Sequence, residues 1–144
     1  MLDVYTRAVR GWCVSRSLHR EIAITALQQA LAHHPPPCIF HSDQGAQYAS
    51  WEHTDLLHNV GTHISMSAVG QPTENGLAER FMRTLKEEHV DYAEYDHFTD
   101  ACRQIGDWLQ HEYNTQREHS ALGYLTPAEF EALADGGGVK PLLN

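Results

Sequence analysis

The sequence predicts an α/β fold in one compact domain. Its 144 residues are 42% hydrophobic and 20% charged, which is the length and composition of an ordinary globular domain. Short apolar runs that resemble strands alternate with longer segments whose apolar residues recur at helical spacing. This alternation is typical of folds in which helices cover a sheet.

The N-terminal part of the chain predicts a hairpin followed by a helix. Residues 2–4 and 8–14 are apolar enough to form two strands, joined by a tight turn at residues 5–7. Apolar positions then recur at helical spacing, which predicts an amphipathic helix over about residues 19–33. The three prolines that follow this segment end the helix, because proline cannot continue it.

The middle of the chain predicts two strands and a helix between them. The apolar run at residues 38–40 is typical of a buried strand, and it ends at His41-Ser42-Asp43. Residues 50–59 predict a second helix, and residues 62–67 predict another short strand.

The C-terminal part of the chain predicts three helices. Two of them are expected over about residues 75–89 and 98–113. A third, short helix begins after Thr126, because a hydroxyl at the cap, a proline and then Glu129 together form a capping box.

The charge balance limits the classes of function. The chain has 10 basic and 19 acidic residues, a net charge of −9, which counts against a general nucleic-acid binder because phosphate neutralisation needs clustered Lys and Arg. Any contact with DNA must therefore be local. The 11 histidines are scattered, so we expect surface histidines rather than a metal site.

Two other features indicate the compartment. We find no run of about 18 apolar residues and no N-terminal signal of secretory type, which predicts a soluble, cytoplasmic protein without a membrane partner. The three cysteines are far apart in sequence, which favours reduced packing residues.

Two carboxylates stand where catalytic or metal-binding groups are often found. Asp43 ends a predicted strand and precedes Gly45, which permits a turn at the edge where α/β proteins bind ligands. Glu79 lies on the helix face opposite the apolar stripe, which consists of Leu77, Phe81 and Leu85. The same polar face includes Asn75, Met82, Arg83 and Lys86. A polar turn and a solvated helix face are the alternative interpretations of each residue alone.

The pairing of the two carboxylates is similar to a known family. Asp43 lies in the motif His41-Ser42-Asp43-Gln44-Gly45-Ala46-Gln47-Tyr48, and 35 residues separate it from Glu79. Further matching positions are Tyr113-Asn114, Arg117 and His119 to Pro127. This pattern resembles the integrase catalytic core of DDE-type insertion-sequence transposases, relatives of retroviral integrases. The resemblance implies an RNase H-like core with a mixed sheet flanked by helices over residues 1–131. The run Gly136-Gly137-Gly138 predicts a flexible tail, taken as residues 132–144.

The resemblance also implies a metal-dependent reaction on DNA. In that family three carboxylates bind two Mg²⁺ (or Mn²⁺) ions during hydrolysis and strand transfer of DNA, and hard oxygen ligands suit these ions. Asp43 and Glu79 match the second and third carboxylates. Lys86 lies two turns beyond Glu79 on the same helix face, where it could contact a DNA phosphate, and Arg83 and Asn75 on that face are further candidates. The implied partners are transposon ends and target DNA, together with a homo-oligomer or an upstream transposase segment.

The family's first carboxylate has no counterpart by this resemblance. It lies on the opening, central strand, whereas Asp3 matches an acidic residue of the second strand. We therefore expect the first strand to be missing from an N-terminally truncated core that is marginally folded and inactive alone. A misplaced start codon, a segment supplied by frameshifting or by another chain, and a decayed remnant are open explanations.

Two alternatives to a transposase fragment follow from the same residues. The first is a catalytically dead interaction module that binds transposase partners or transposon ends. The second is an unrelated acidic α/β binding protein, for which the spaced motifs would be a coincidence.

Overall fold

The computed structural model describes residues 1–68 and 75–136, which fall into two compact units. The first unit comprises Met1 and Arg10–Tyr92, and the second comprises Leu2–Val9 with the chain from Ala93 onward. No helix in the described ranges has the length and apolar content needed to cross a membrane.

The first unit contains a small parallel sheet with helices. In chain order its described elements are α1 (Glu21–His33), β1 (Ile39–Ser42), α2 (Trp51–Asn59), β2 (His63–Met66) and α3 (Gly76–Leu85). A π-helical turn at Lys86–Val90 continues α3. The two strands pair in parallel from Ile39 opposite His63 to Ser42 opposite Met66. The predicted order of elements is confirmed, and each helix begins one or two residues later than predicted.

The core of this unit forms where α1 and α2 pack. Leu27 and Leu57 are almost completely buried, because their helices turn one apolar face inward. The expectation that β1 is buried is wrong, since Ile39 is 64% exposed and only Ser42 is buried in this strand. In a strand alternate residues share a face, so Ile39 and His41 both lie on an exposed face of the sheet.

His53 departs from the expectation that the histidines lie on the surface. Its side chain is fully buried on α2, with the rings of Phe40 and Tyr48 at 5.1 and 5.6 Å. Within residues 1–68 and 75–136 neither ring nitrogen has a hydrogen-bond partner of good geometry. Burial lowers the pKa of His53 below its ordinary 6.5, and the nearby backbone of Tyr48 opposes this shift only in part.

We predict that this histidine makes the protein less stable in mild acid. Because the folded state has the lower pKa, the unfolded chain binds the proton more tightly, and stability falls as the pH drops below 6.5. Urea unfolding at about pH 7.5 and about pH 5.5 should show a larger loss for the wild type than for His53→Phe. The same substitution at exposed His58 is the control, and an equal pH dependence in all three proteins would contradict the prediction.

The second unit combines an N-terminal turn with the C-terminal helices. Its described helices are α4 (Phe98–Asp107), continued by a π-helical turn at Trp108–Tyr113, and α5 (Pro127–Asp135). A short 3₁₀ turn, Ser120–Leu122, lies between them. The buried apolar side chains of this unit include Trp108, Leu109, Tyr113 and Leu122.

The two strands predicted at residues 2–4 and 8–14 are not formed as regular strands. Leu2 and Val9 make an isolated antiparallel bridge, and residues 10–14 belong to no strand. Two backbone hydrogen bonds flank this bridge, from Asp3 N–H to the Ala8 carbonyl oxygen at 2.9 Å and from Arg10 N–H to the Met1 carbonyl oxygen at 3.0 Å, and other backbone groups here bind side chains. Asn114 binds both the N–H and the carbonyl oxygen of Val9, and the N–H of Trp12 donates to Gln29 Oε1 at 2.7 Å.

The capping box predicted at the last helix is confirmed. The Thr126 hydroxyl accepts from the N–H of Glu129, and the Glu129 carboxylate accepts from the N–H of Thr126 at 2.9 Å. The helix continues to Asp135, four residues beyond the predicted end of the core at residue 131. Residues 137–144 lie outside the described residues, so the flexible tail stays a prediction.

Candidate functional site

Asp43 lies directly after β1, at the C-terminal end of the parallel pair. Its side chain is exposed, and Oδ1 accepts a hydrogen bond of 2.9 Å from the N–H of Gly45. The following turn is held by further backbone bonds, in which Tyr48 and Ala49 donate to the Gly45 carbonyl oxygen. The turn therefore fixes one carboxylate oxygen while the residue remains open to solvent.

Gly45 is needed here because of a close approach. A Cβ at this position would lie 2.9 Å from Asp43 Oδ1 and 2.5 Å from Nε2 of the Gln47 side chain. Both are flexible side-chain ends, so we predict that Gly45→Ala keeps the fold but displaces the Asp43 carboxylate. If Asp43 binds the ion, Mn²⁺ titration should show about tenfold weaker binding, the lower end of the usual effect of disturbing a ligand's orientation.

The control for this variant is Gly76→Ala, because a Cβ at Gly76 would meet no atom of a described residue within 4 Å. Thermal unfolding of both variants separates a local effect from a loss of stability. Unchanged Mn²⁺ affinity in Gly45→Ala would contradict the prediction.

Tyr48 lies close enough to Asp43 for the carboxylate charge to affect the pKa of its hydroxyl. Burial, and then the negative charge of Asp43, raise the pKa of the Tyr48 hydroxyl, while a hydrogen bond with Gln47 lowers it. The ring of Tyr48 also packs against Phe40 at 6.3 Å. An aromatic cluster of Phe40, Tyr48 and His53 thus supports the turn that follows Asp43.

Glu79 is exposed in the first turn of α3. A carboxylate at this position interacts favourably with the helix dipole. Leu77, Phe81 and Leu85 are half-buried, which agrees with the predicted apolar stripe, and Thr84 is the buried residue of this helix. Within the described ranges Glu79 makes no ion pair, so its oxygens are available to a ligand.

Arg83 and Lys86 lie together along one open groove of about 620 Å³. Both side chains are exposed, and neither forms an ion pair with a described residue. The remaining lining residues are Met82, Leu85, Glu87, Val90 and Asp91. Two acids therefore stand beside the two cations, which weakens the local attraction for phosphate.

Asn75 does not line this groove but precedes α3 as its cap residue. Its side chain makes no capping hydrogen bond and is half-buried. Residues 69–74, which connect β2 to this position, lie outside the described residues.

The Asp3 carboxylate forms hydrogen bonds within the N-terminal turn. Its Oδ1 accepts from the N–H groups of Tyr5 at 2.9 Å and Thr6 at 3.0 Å, so it stabilises the N-terminal turn.

The donor set suits a hard divalent ion but is incomplete. The carboxylates of Asp43 and Glu79 are exposed in the same compact unit, and carboxylate oxygen is what Mg²⁺ prefers. In the part of the chain that the structure describes, no three His, Cys, Asp or Glu residues come together as a metal site. Among the described residues, Asp43 and Glu79 therefore do not form a closed metal site by themselves.

The contacts of His41 with two serine hydroxyls were not predicted from the sequence. Its ring lies 2.9 Å from the Ser65 hydroxyl and 3.1 Å from the Ser67 hydroxyl, which are on or just after β2. The signal that could have found it is the spacing of the two serines, because alternate strand residues share a face.

The chain matches models of one protein family over most of its length. An integrase core domain model matches residues 1–72, and a second integrase core domain model matches residues 60–127. The transposase for insertion sequence element IS904 of Lactococcus lactis is 36% identical over 132 residues, 90% of this chain and 52% of that protein. Transposase InsF for insertion sequence IS3A of Escherichia coli is 32% identical over 133 residues, 91% of this chain and 46% of that protein. The chain spans about half the length of these relatives.

A solved structure shares the fold. The catalytic core domain of BIV integrase superposes with a TM-score of 0.58 and 21% sequence identity, covering 87% of this chain and 78% of that one. This likeness confirms the predicted RNase H-like α/β fold class.

Proposed function

Because the chain belongs to the integrase core domain family, we propose that it supplies Asp43 and Glu79 to the metal site of a DNA transposase. The observation that supports this most is the placement of Asp43. It follows a parallel strand at the edge where such folds bind ligands, and the N–H of Gly45 orients its carboxylate. The proposed reaction is hydrolysis and transfer of DNA strands during transposition.

The chemistry that two bound Mg²⁺ (or Mn²⁺) ions supply is activation of an attacking water or DNA 3′-hydroxyl and stabilisation of the departing oxygen. Asp43 and Glu79 would hold these ions through their free carboxylate oxygens. The turn after Asp43 limits the motion of the first carboxylate, and α3 sets the position of the second. Preorganisation of this kind keeps the ligands in place when the substrate arrives.

Lys86 and Arg83 are the proposed contacts with DNA phosphates, and Asn75 is a further candidate. The two cations share one groove and have no ion-pair partner among the described residues. Glu87 and Asp91 in the same groove reduce the net charge, so these contacts position DNA locally rather than provide general affinity.

We propose that a third carboxylate comes from outside the described residues. A further segment of the same transposase or another copy in a homo-oligomer would provide it, and the assembly would act on transposon ends and target DNA. We propose that the protein acts in the cytoplasm, because its proposed substrate is DNA. By this proposal the chain alone lacks full activity.

The test compares the chain alone with a chimera. In the chimera, the matching part of this chain replaces the 132 aligned residues of the IS904 transposase. With supercoiled DNA and Mg²⁺, we expect nicking by the chimera and none by the chain alone. Nicking by the chain alone that Asp43→Asn abolishes would refute the need for a further carboxylate.

The second candidate function is an interaction module that binds transposase partners or transposon ends without cutting. The lack of a three-residue metal site in the described ranges favours it, and the net charge of −9 favours a protein partner over transposon DNA. The double variant Asp43→Asn with Glu79→Gln separates the two proposals. A metal site predicts loss of catalysis, whereas an interaction module predicts unchanged partner binding and no catalysis to lose.

A further inference from the structure

His41 connects the two strands at the end where Asp43 emerges. It stands opposite Ser65 in the parallel register, and its Nδ1 lies 2.9 Å from the Ser65 hydroxyl. Its Nε2 lies 3.1 Å from the Ser67 hydroxyl, two residues further along the chain. One exposed imidazole therefore spans two hydroxyl groups of the neighbouring strand segment.

The connection continues from Ser67 to Asp43. The Ser67 N–H donates to the Ser42 carbonyl oxygen at 2.9 Å, and its hydroxyl donates to the same oxygen at 3.4 Å. If that hydroxyl donates its proton to Ser42, the consistent histidine tautomer has His41 Nε2–H donating to Ser67 and His41 Nδ1 accepting from the Ser65 hydroxyl. The Ser42 hydroxyl in turn donates to the Asp43 carbonyl oxygen at 2.9 Å.

We propose that His41 is a positioning residue for Asp43. It does not touch the reacting groups in this role; it ties the end of β1 to the segment after β2, and Asp43 leaves the sheet at that point. This inference rests on the proposed function of Asp43 as a metal ligand. Ser42 and Ser67 are buried, so the backbone hydrogen bond between them is shielded from solvent. The His41 side chain is exposed, so this residue can be substituted without changing a buried side chain.

The first arm of the test measures the turn without metal. Amide signals and hydrogen exchange at Ser67 and Gly45 are recorded by NMR for wild type, His41→Ala and Ser67→Ala. Both variants should exchange about three- to tenfold faster at these amides, the range expected for losing one net hydrogen bond. The effects should add only in part in the double variant, because both changes remove the hydrogen bond between His41 and Ser67.

The matched control is His63→Ala, which removes another exposed histidine of the sheet that has no side-chain hydrogen bond among the described residues. Thermal unfolding checks that every variant remains folded. No change at Gly45 in His41→Ala, or an equal change in His63→Ala, would overturn the inference.

The second arm titrates Mn²⁺ into the same proteins. If Asp43 binds the ion, His41→Ala should weaken binding about tenfold, as loss of a supporting partner commonly does, while His63→Ala leaves it unchanged. If wild type and Asp43→Asn bind Mn²⁺ equally, the proposed function fails, and the exchange arm alone decides whether His41 orders the turn. Wild-type affinity in His41→Ala, with binding that depends on Asp43, would refute His41 as a positioning residue.

Discussion

Asp43→Asn and Glu79→Gln should each lower strand transfer by the IS904 chimera at least about 100-fold. Loss of a partner that only orients a metal ligand costs about 10- to 100-fold, so loss of the ligand's charge should cost at least as much. The amide side chains preserve shape and remove the negative charge that a divalent ion requires. Strand transfer is measured with a labelled transposon end and plasmid target at fixed Mg²⁺.

Two exposed acids supply the controls for this comparison. Asp96→Asn and Glu112→Gln make the same chemical changes at exposed positions outside the proposed metal site and outside the groove that Arg83 and Lys86 line. They should retain activity within a few-fold. If the controls lose as much activity as the site variants, the effect is one of overall charge or folding rather than metal binding.

Asn114→Ala should destabilise the protein by roughly 2–4 kcal/mol. Asn114 Oδ1 accepts from the N–H of Val9 at 2.8 Å, and its Nδ2 donates to the Val9 carbonyl oxygen at 3.1 Å. Val9 is only 8% exposed, and each buried backbone group left without a partner costs about 1–3 kcal/mol. Urea unfolding followed by circular dichroism measures the loss.

Gln110→Ala is the matched control, because it removes an exposed amide from the same helical segment with no hydrogen bond to lose among the described residues. Asn114→Asp gives a second comparison, since a carboxylate can accept from Val9 but cannot donate to it. A loss in Asn114→Ala no larger than in Gln110→Ala would show that solvent replaces both bonds.

The features that the sequence predicted well are local ones. The helix at Glu21–His33 follows from apolar residues three and four positions apart, which need only one face to be covered. The capping box depends on Thr126 and Glu129 alone, whose groups meet as soon as the helix begins. The position of Asp43 at a strand end was likewise predictable, because the strand and the turn are contiguous in the chain.

The features that could not be predicted depend on contacts distant in sequence. Asn114 binds the backbone N–H and carbonyl oxygen of Val9, 105 residues away, in addition to the bridge that Val9 makes with Leu2. His41 meets its serines 24 and 26 residues later, which requires the parallel register to be known. The burial of His53 against Phe40 also depends on how α2 packs, and helical spacing alone does not reveal it.

The most direct test of the metal site is a titration of the 144-residue chain with Mn²⁺, in which electron paramagnetic resonance measures the bound ion. We predict saturable binding that Asp43→Asn and Glu79→Gln each weaken at least about tenfold, while Asp96→Asn leaves it unchanged. Saturable binding that neither site variant weakens would contradict the proposal that these two carboxylates form part of a metal site.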